Sequence, residues 1–78
     1  MDRRHGSEHF TTRRVDDNTE GYSALELYRT STDATIKVAR VVFWDAWGQF
    51  AIETLGTEVP LAVLEELIAE AKATIKTK

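Results

Sequence analysis

The sequence predicts an α+β fold, an antiparallel sheet of three to four strands in a meander with one C-terminal amphipathic helix packed on one face. Three observations carry this reading. TIKVARVVFW (residues 35–44) is rich in β-branched and aromatic residues and is unbroken by Gly or Pro, which marks a strand. Asp45-Ala46-Trp47-Gly48 then reads as a tight turn, because Asp suits the first position of a type I turn and Gly48 supplies the positive φ that lets the chain return. Finally, GTEVPLAVLEELIAEAKATIKTK repeats its apolar residues at helical spacing.

Residues 1–21 are the least foldable stretch. Their large apolar residues are Met1, Phe10 and Val15, too few to offset the ordering entropy of a long segment. They read as a mobile N-terminal arm, in which HFTTRRV is suited to one edge strand. Residues 22–78 then form a single β-β-β-α domain. YSALELYRTS alternates as a strand, with Leu25 and Leu27 on one side and Tyr22, Glu26 and Tyr28 on the other, although Ala, Leu and Glu also favour a short helix. The polar TSTDA (residues 30–34) is a turn into the strongest strand.

Across the turn at residues 45–48, Phe43-Trp44 should lie beside Phe50-Ala51-Ile52. Pairing Asp45 with Gln49 would set Trp44 against Phe50 and Val42 against Ile52. In the helix, Pro60 suits the first turn, where its missing N–H costs nothing, and Thr57 is the nearest capping side chain. Leu61, Leu64, Leu67, Ile68, Ala71 and Ile75 make the apolar stripe. Glu58, Glu65, Glu66 and Glu70 precede Lys72, Lys76 and Lys78, an order that suits the helix dipole.

One helix covers only one face of a sheet, yet both faces of the strongest strand are apolar. Ile36, Val38, Val42 and Trp44 point one way. Ala39, Val41 and Phe43 point the other, joined by Ala51 and Leu55. An uncovered apolar face on a chain of 78 residues marks a contact site. The expected interaction face is therefore Val41, Phe43, Ala51 and Leu55. A homodimer is its first expected partner, since small domains without disulfides often rely on association and this chain has no cysteine. An unidentified protein partner is the second.

Little else suggests chemistry. HGSEH (residues 5–9) matches the H-x-x-E-H zinc-peptidase pattern, but that pattern works on a helix and here it contains Gly and Ser. No nucleophile-and-base pair and no glycine-rich phosphate loop is present in the sequence, and Glu65, Glu66 and Glu70 read as a solvated helix face. The expectation is a non-enzymatic module with no cofactor and no metal. A net charge of −3 argues against a general polyanion binder. With neither a spanning apolar run nor a signal segment, a cytoplasmic location is the default and no membrane partner is expected.

Trp47, at the hairpin tip, is the candidate exposed contact. Tyr28, Arg29, Lys37 and Arg40 on adjoining strands form an aromatic-basic set of the kind single-stranded nucleic acid favours. The strand meander closed by GTEVPLAVLEEL resembles in topology the small single-strand-binding coactivator and whirly-type proteins, over residues 22–78. That resemblance implies a dimer that binds unpaired DNA on its sheet. The function expected first is a self-associating binding or regulatory module, and the alternative is a single-stranded nucleic-acid binder.

Overall fold

In the computed structural model, which describes residues 1–75, YSALELYRTS is the middle strand of the sheet and is buried on both faces from Ala24 to Leu27. The elements are β1 (Asp2–His5), β2 (Glu8–Asp17), β3 (Tyr22–Ser31), β4 (Ala34–Trp44), β5 (Gln49–Thr54) and α1 (Leu61–Thr74). The strands lie side by side in chain order, every neighbouring pair antiparallel, and α1 packs on one face. This is the predicted α+β meander with five strands rather than three or four.

Residues 1–21, expected as a mobile arm with HFTTRRV as one edge strand, supply both β1 and β2. HFTTRRV lies in β2, but as an inner strand, paired with β1 on one side and with β3 from His9↔Thr30 to Asp17↔Tyr22 on the other. Three features offset the entropy that argued against order here. Phe10 is fully buried against Leu27, Val38 and α1. The long ladder to β3 satisfies the backbone. From above, α1 holds the hairpin: Arg3 bonds Glu66 at 2.7 Å, and Glu70 accepts from Thr12 at 2.8 Å and pairs with the Met1 amine at 2.9 Å.

The helix covers the side of Leu25, Leu27, Ala39 and Val41, with Val63, Leu67, Ala71 and Ile75 packed onto them. Leu61 was expected in this stripe but is 69% exposed, and Val63 takes its place. The buried positions 63, 67, 71 and 75 recur every four residues, so the stripe is rotated from the expected one. Glu66 and Glu70 consequently flank the core on the side of the β1–β2 hairpin, where both are engaged rather than free. Pro60 occupies the position before the helix with extended backbone, and no side chain caps it. Thr57 instead accepts a bond from Arg29. Lys72 stands in the last turn, as expected, whereas Lys76 and Lys78 lie outside the described residues.

A bulge decides which face is covered. Leu27 pairs with Ala39 but Tyr28 pairs with Lys37, leaving Val38 as the extra residue in β4. Val38 and Ala39 are therefore both buried in the core, although they are consecutive. Beyond the bulge, Val41 and Phe43 lie on the helix side, while Val42 and Trp44 lie on the open side. The expected grouping of Val38 with Val42 and Trp44 is thus broken. The hairpin register also differs by one residue from that expected. Trp44 pairs with Gln49, Phe43 with Phe50, Val42 with Ala51 and Val41 with Ile52. The cause is the turn, in which the amides of Trp47 and Gly48 both donate to the Trp44 carbonyl.

The open face is covered from within. The register places Val15, Ala24, Val42 and Ala51 in one row across the sheet. Tyr22 and Trp44 flank that row on one side, and Arg13, Glu26, Arg40 and Glu53 flank it on the other. Ala24 and Val42 are buried between these rows of long side chains.

Candidate interaction surface

The face expected to be free is divided by the sheet. Val41 is buried beside α1, and Phe43 packs against the same core, meeting Phe50 edge-on at 5.1 Å between centroids. Ala51, paired with Val42, points to the opposite side. Leu55 follows β5 and is 42% exposed, its amide donating to the Val38 carbonyl at 3.1 Å. These four residues therefore make no single surface.

What the structure brings together instead is the outer strand and the helix beside it. Val41, Phe50, Ala51, Ile52, Ile68 and Lys72 line a groove of about 260 Å³ between β5 and α1, and Ile52 is 45% exposed. Among the described residues, the strand beside this groove has no neighbouring strand on its outer side. Peptide groups in an antiparallel ladder alternate, each residue directing its N–H and C=O to the same side. The Leu55–Val38 bond continues the register that pairs Ala39 with Thr54. Odd-numbered residues of β5 consequently turn their backbone groups toward β4. Those of Phe50, Ile52 and Thr54 turn outward, and the side chains of the same residues lie on the helix side. An unsatisfied backbone row therefore runs along the lip of an apolar groove.

The two sheet edges contrast. β1 is only Asp-Arg-Arg-His, short and charged throughout, the composition that blocks edge pairing. β5 is Gln-Phe-Ala-Ile-Glu-Thr, and its one charge, Glu53, is already bonded to Arg40 at 3.0 Å.

The open face carries a second cluster at the hairpin end. Trp44 packs at a tilt, its ring centroid 5.0 Å from that of Tyr22 and 6.4 Å from that of Trp47, and Arg40 lies 5.3 Å over the Tyr22 ring. Trp47 is 66% exposed. Tyr28, Lys37 and Arg40 share this face, whereas Arg29 points to the helix side, where it pairs with Glu8 at 3.1 Å. Two cations of the open face are engaged, since Lys37 pairs with Glu26 at 2.9 Å and Arg40 with Glu53, while Arg13 stands beside them opposite Glu26. Glu26 is nearly buried and also accepts from the Tyr28 hydroxyl at 2.7 Å. Burial is the largest influence on its carboxyl and pushes its pKa up. The bonds from Lys37 and Tyr28, together with the Lys37 charge, outweigh it and hold the carboxyl below its ordinary range. The same contact raises the pKa of Tyr28 and of Lys37.

HGSEH is a β-hairpin and not a helix. His5 pairs with Glu8 across it, Gly6 takes a φ of 63°, and His9 contacts Asp2. His5 and His9 point to opposite sides of the sheet, so the two imidazoles do not share a face. Among the described residues no group of three or more side chains is placed to hold a metal ion, and no helix is long and apolar enough to cross a membrane.

Comparison of the chain with family models, curated proteins and solved structures finds no match. The likeness to single-strand-binding coactivator and whirly-type proteins accordingly remains one of element order.

Sequence reasoning missed the groove because it placed Val41 and Phe43 on the wrong side. The signal that marks the edge was present in the contrast between DRRH and QFAIET.

Proposed function

We propose that this chain is a small, non-enzymatic binding module that captures an extended peptide segment along β5. The observation that carries this reading is the outward backbone row of Phe50, Ile52 and Thr54 beside the apolar groove under α1. An added strand would bond to that row, and every second side chain would lie toward Ile52 and Ile68, the usual division between main-chain affinity and side-chain specificity. The test is an NMR titration of the full chain with a synthetic peptide of alternating Val and Thr. Shifts centred on Phe50–Thr54, Ile68 and Lys72, and lost in Ile52→Lys, are expected. Shifts confined to Tyr22, Trp44 and Trp47, or no shifts at all, would sink the reading.

A second reading is single-stranded nucleic-acid binding. It is favoured by the Tyr22, Trp44 and Trp47 cluster on the open face, since aromatic rings stack on unpaired bases. Pairing of Lys37 and Arg40 with carboxylates weakens it. It predicts quenching of tryptophan fluorescence by an oligothymidine, relieved by salt. A flat titration at low salt removes it.

A further inference from the structure

Resting on the strand-capture reading, we infer that the segment captured along β5 is the β5 of a second copy, in an antiparallel pair with Ile52 opposite Ile52 at the two-fold axis. Symmetry and charge select this arrangement. In an antiparallel edge pair the two-fold axis runs through the sheet, so both helices lie on the same side. Directly opposed residues must then come from the same side of the two sheets. The allowed registers are therefore those centred on a residue of β5.

Centring on Glu53 would set two carboxylates directly opposite each other, which is unfavourable. Centring on Ala51 places two small side chains at the axis and sets Phe50 against Ile52. Centring on Ile52 opposes two β-branched side chains, sets Phe50 against Thr54 and sets Glu53 against Ala51. The outward backbone groups of Phe50, Ile52 and Thr54 would all be paired in this register. Centring on Thr54, also β-branched, would set Phe50 and Ile52 opposite residues outside β5, so only the register centred on Ile52 opposes β-branched side chains, separates the two Glu53 carboxylates and pairs all three outward residues within the strand.

The remaining features agree. The grooves of both copies adjoin across the axis, each contributing Phe50 and Ile52 to a shared apolar floor. Arg40 keeps Glu53 neutralised on the far side of the sheet. Growth beyond two copies is blocked, because the sheet then ends on β1 at both sides, and β1 is short and charged. The arrangement is a closed, isologous dimer.

The test is the solution mass of the full chain by light scattering over roughly a hundredfold range of concentration, together with single-cysteine variants. The native chain has no cysteine, so introduced thiols report without background. A mass approaching twice 8.8 kDa at the upper end is expected. Ile52→Lys, at an exposed position that spares the core, should raise the dissociation constant by roughly a hundredfold or more, since it brings two lysines together in place of an apolar pair. Oxidised Ile52→Cys should cross-link to itself, and Thr54→Cys, four residues from its own symmetry mate in this register, should not. A monomer at every concentration overturns the inference, as does a dimer that Ile52→Lys leaves intact or in which only Thr54→Cys cross-links. A monomer that still binds the Val-Thr peptide along β5 overturns the second copy while leaving strand capture standing. A monomer that does not bind it overturns both.

Discussion

Glu26 shows how a single position organises the open face. Its carboxylate, nearly buried in the row of Arg13 and Arg40, receives bonds from Lys37 and Tyr28, and these hold its pKa below the ordinary value of 4.5. For a carboxyl depressed in the folded state, the stabilisation is fully present above its unfolded pKa and is lost as pH falls through the folded one. Acid titration followed by circular dichroism should therefore show the native chain losing stability below about pH 4.5, and Glu26→Gln should flatten that limb. At neutral pH the same substitution should cost about 1–3 kcal/mol, because Lys37 and Tyr28 lose their charged acceptor. An unchanged acid limb in Glu26→Gln would remove Glu26 as its cause. Trp47 is the opposite case. Its ring lies mostly in solvent, so Trp47→Ala should move the denaturation midpoint by no more than the equivalent of about 0.5 kcal/mol. Such alternation as Leu25, Glu26 and Leu27 show could be read from the sequence. The side occupied by Val41 and Phe43 could not, because the bulge at Val38 reverses the face and leaves no glycine to announce itself.

At the scale of elements, the helix and the β4–β5 hairpin were apparent because their patterns are local. Apolar spacing along α1 and the Asp45–Gly48 turn each need only a few neighbouring residues to be recognised. One member of the stripe differs, Val63 in place of Leu61, since both are apolar and the choice between them depends on where the sheet lies. β1 and the two ends of β2 were hidden for the converse reason. DRRH has no apolar residue, and its order comes from contacts remote in sequence, such as Arg3 with Glu66. Phe10 is the main hydrophobic tie of this hairpin to the rest. Phe10→Ala should cost about 3–5 kcal/mol, a large part of the roughly 4–12 kcal/mol expected for a chain of this size. Chemical denaturation would measure it, and a loss below about 1 kcal/mol would mean that the hairpin is held mainly by its ladder and ion pairs.

For the whole molecule, the two edges of the sheet are unequal, and that inequality is what gives the proposed pairing its direction. Packing one helix on a five-stranded sheet leaves an open face, but rows of Tyr22, Trp44, Arg40 and Glu26 cover its apolar centre. The unsatisfied surface is instead the rim at β5, where outward backbone groups meet the groove beside Ile68. The contact expected from the sequence is an exposed face, whereas the contact proposed from the structure is an edge, because Val41 lies under the helix. Amide hydrogen exchange in the full chain, read residue by residue along β5 in dilute and concentrated solution, tests this most directly. Ala51 and Glu53 should be protected in both, while Phe50, Ile52 and Thr54 exchange quickly when dilute and become protected when concentrated. Equal exchange of the two sets in dilute solution would contradict a free edge, and outward amides that stay unprotected at high concentration would contradict its use in pairing.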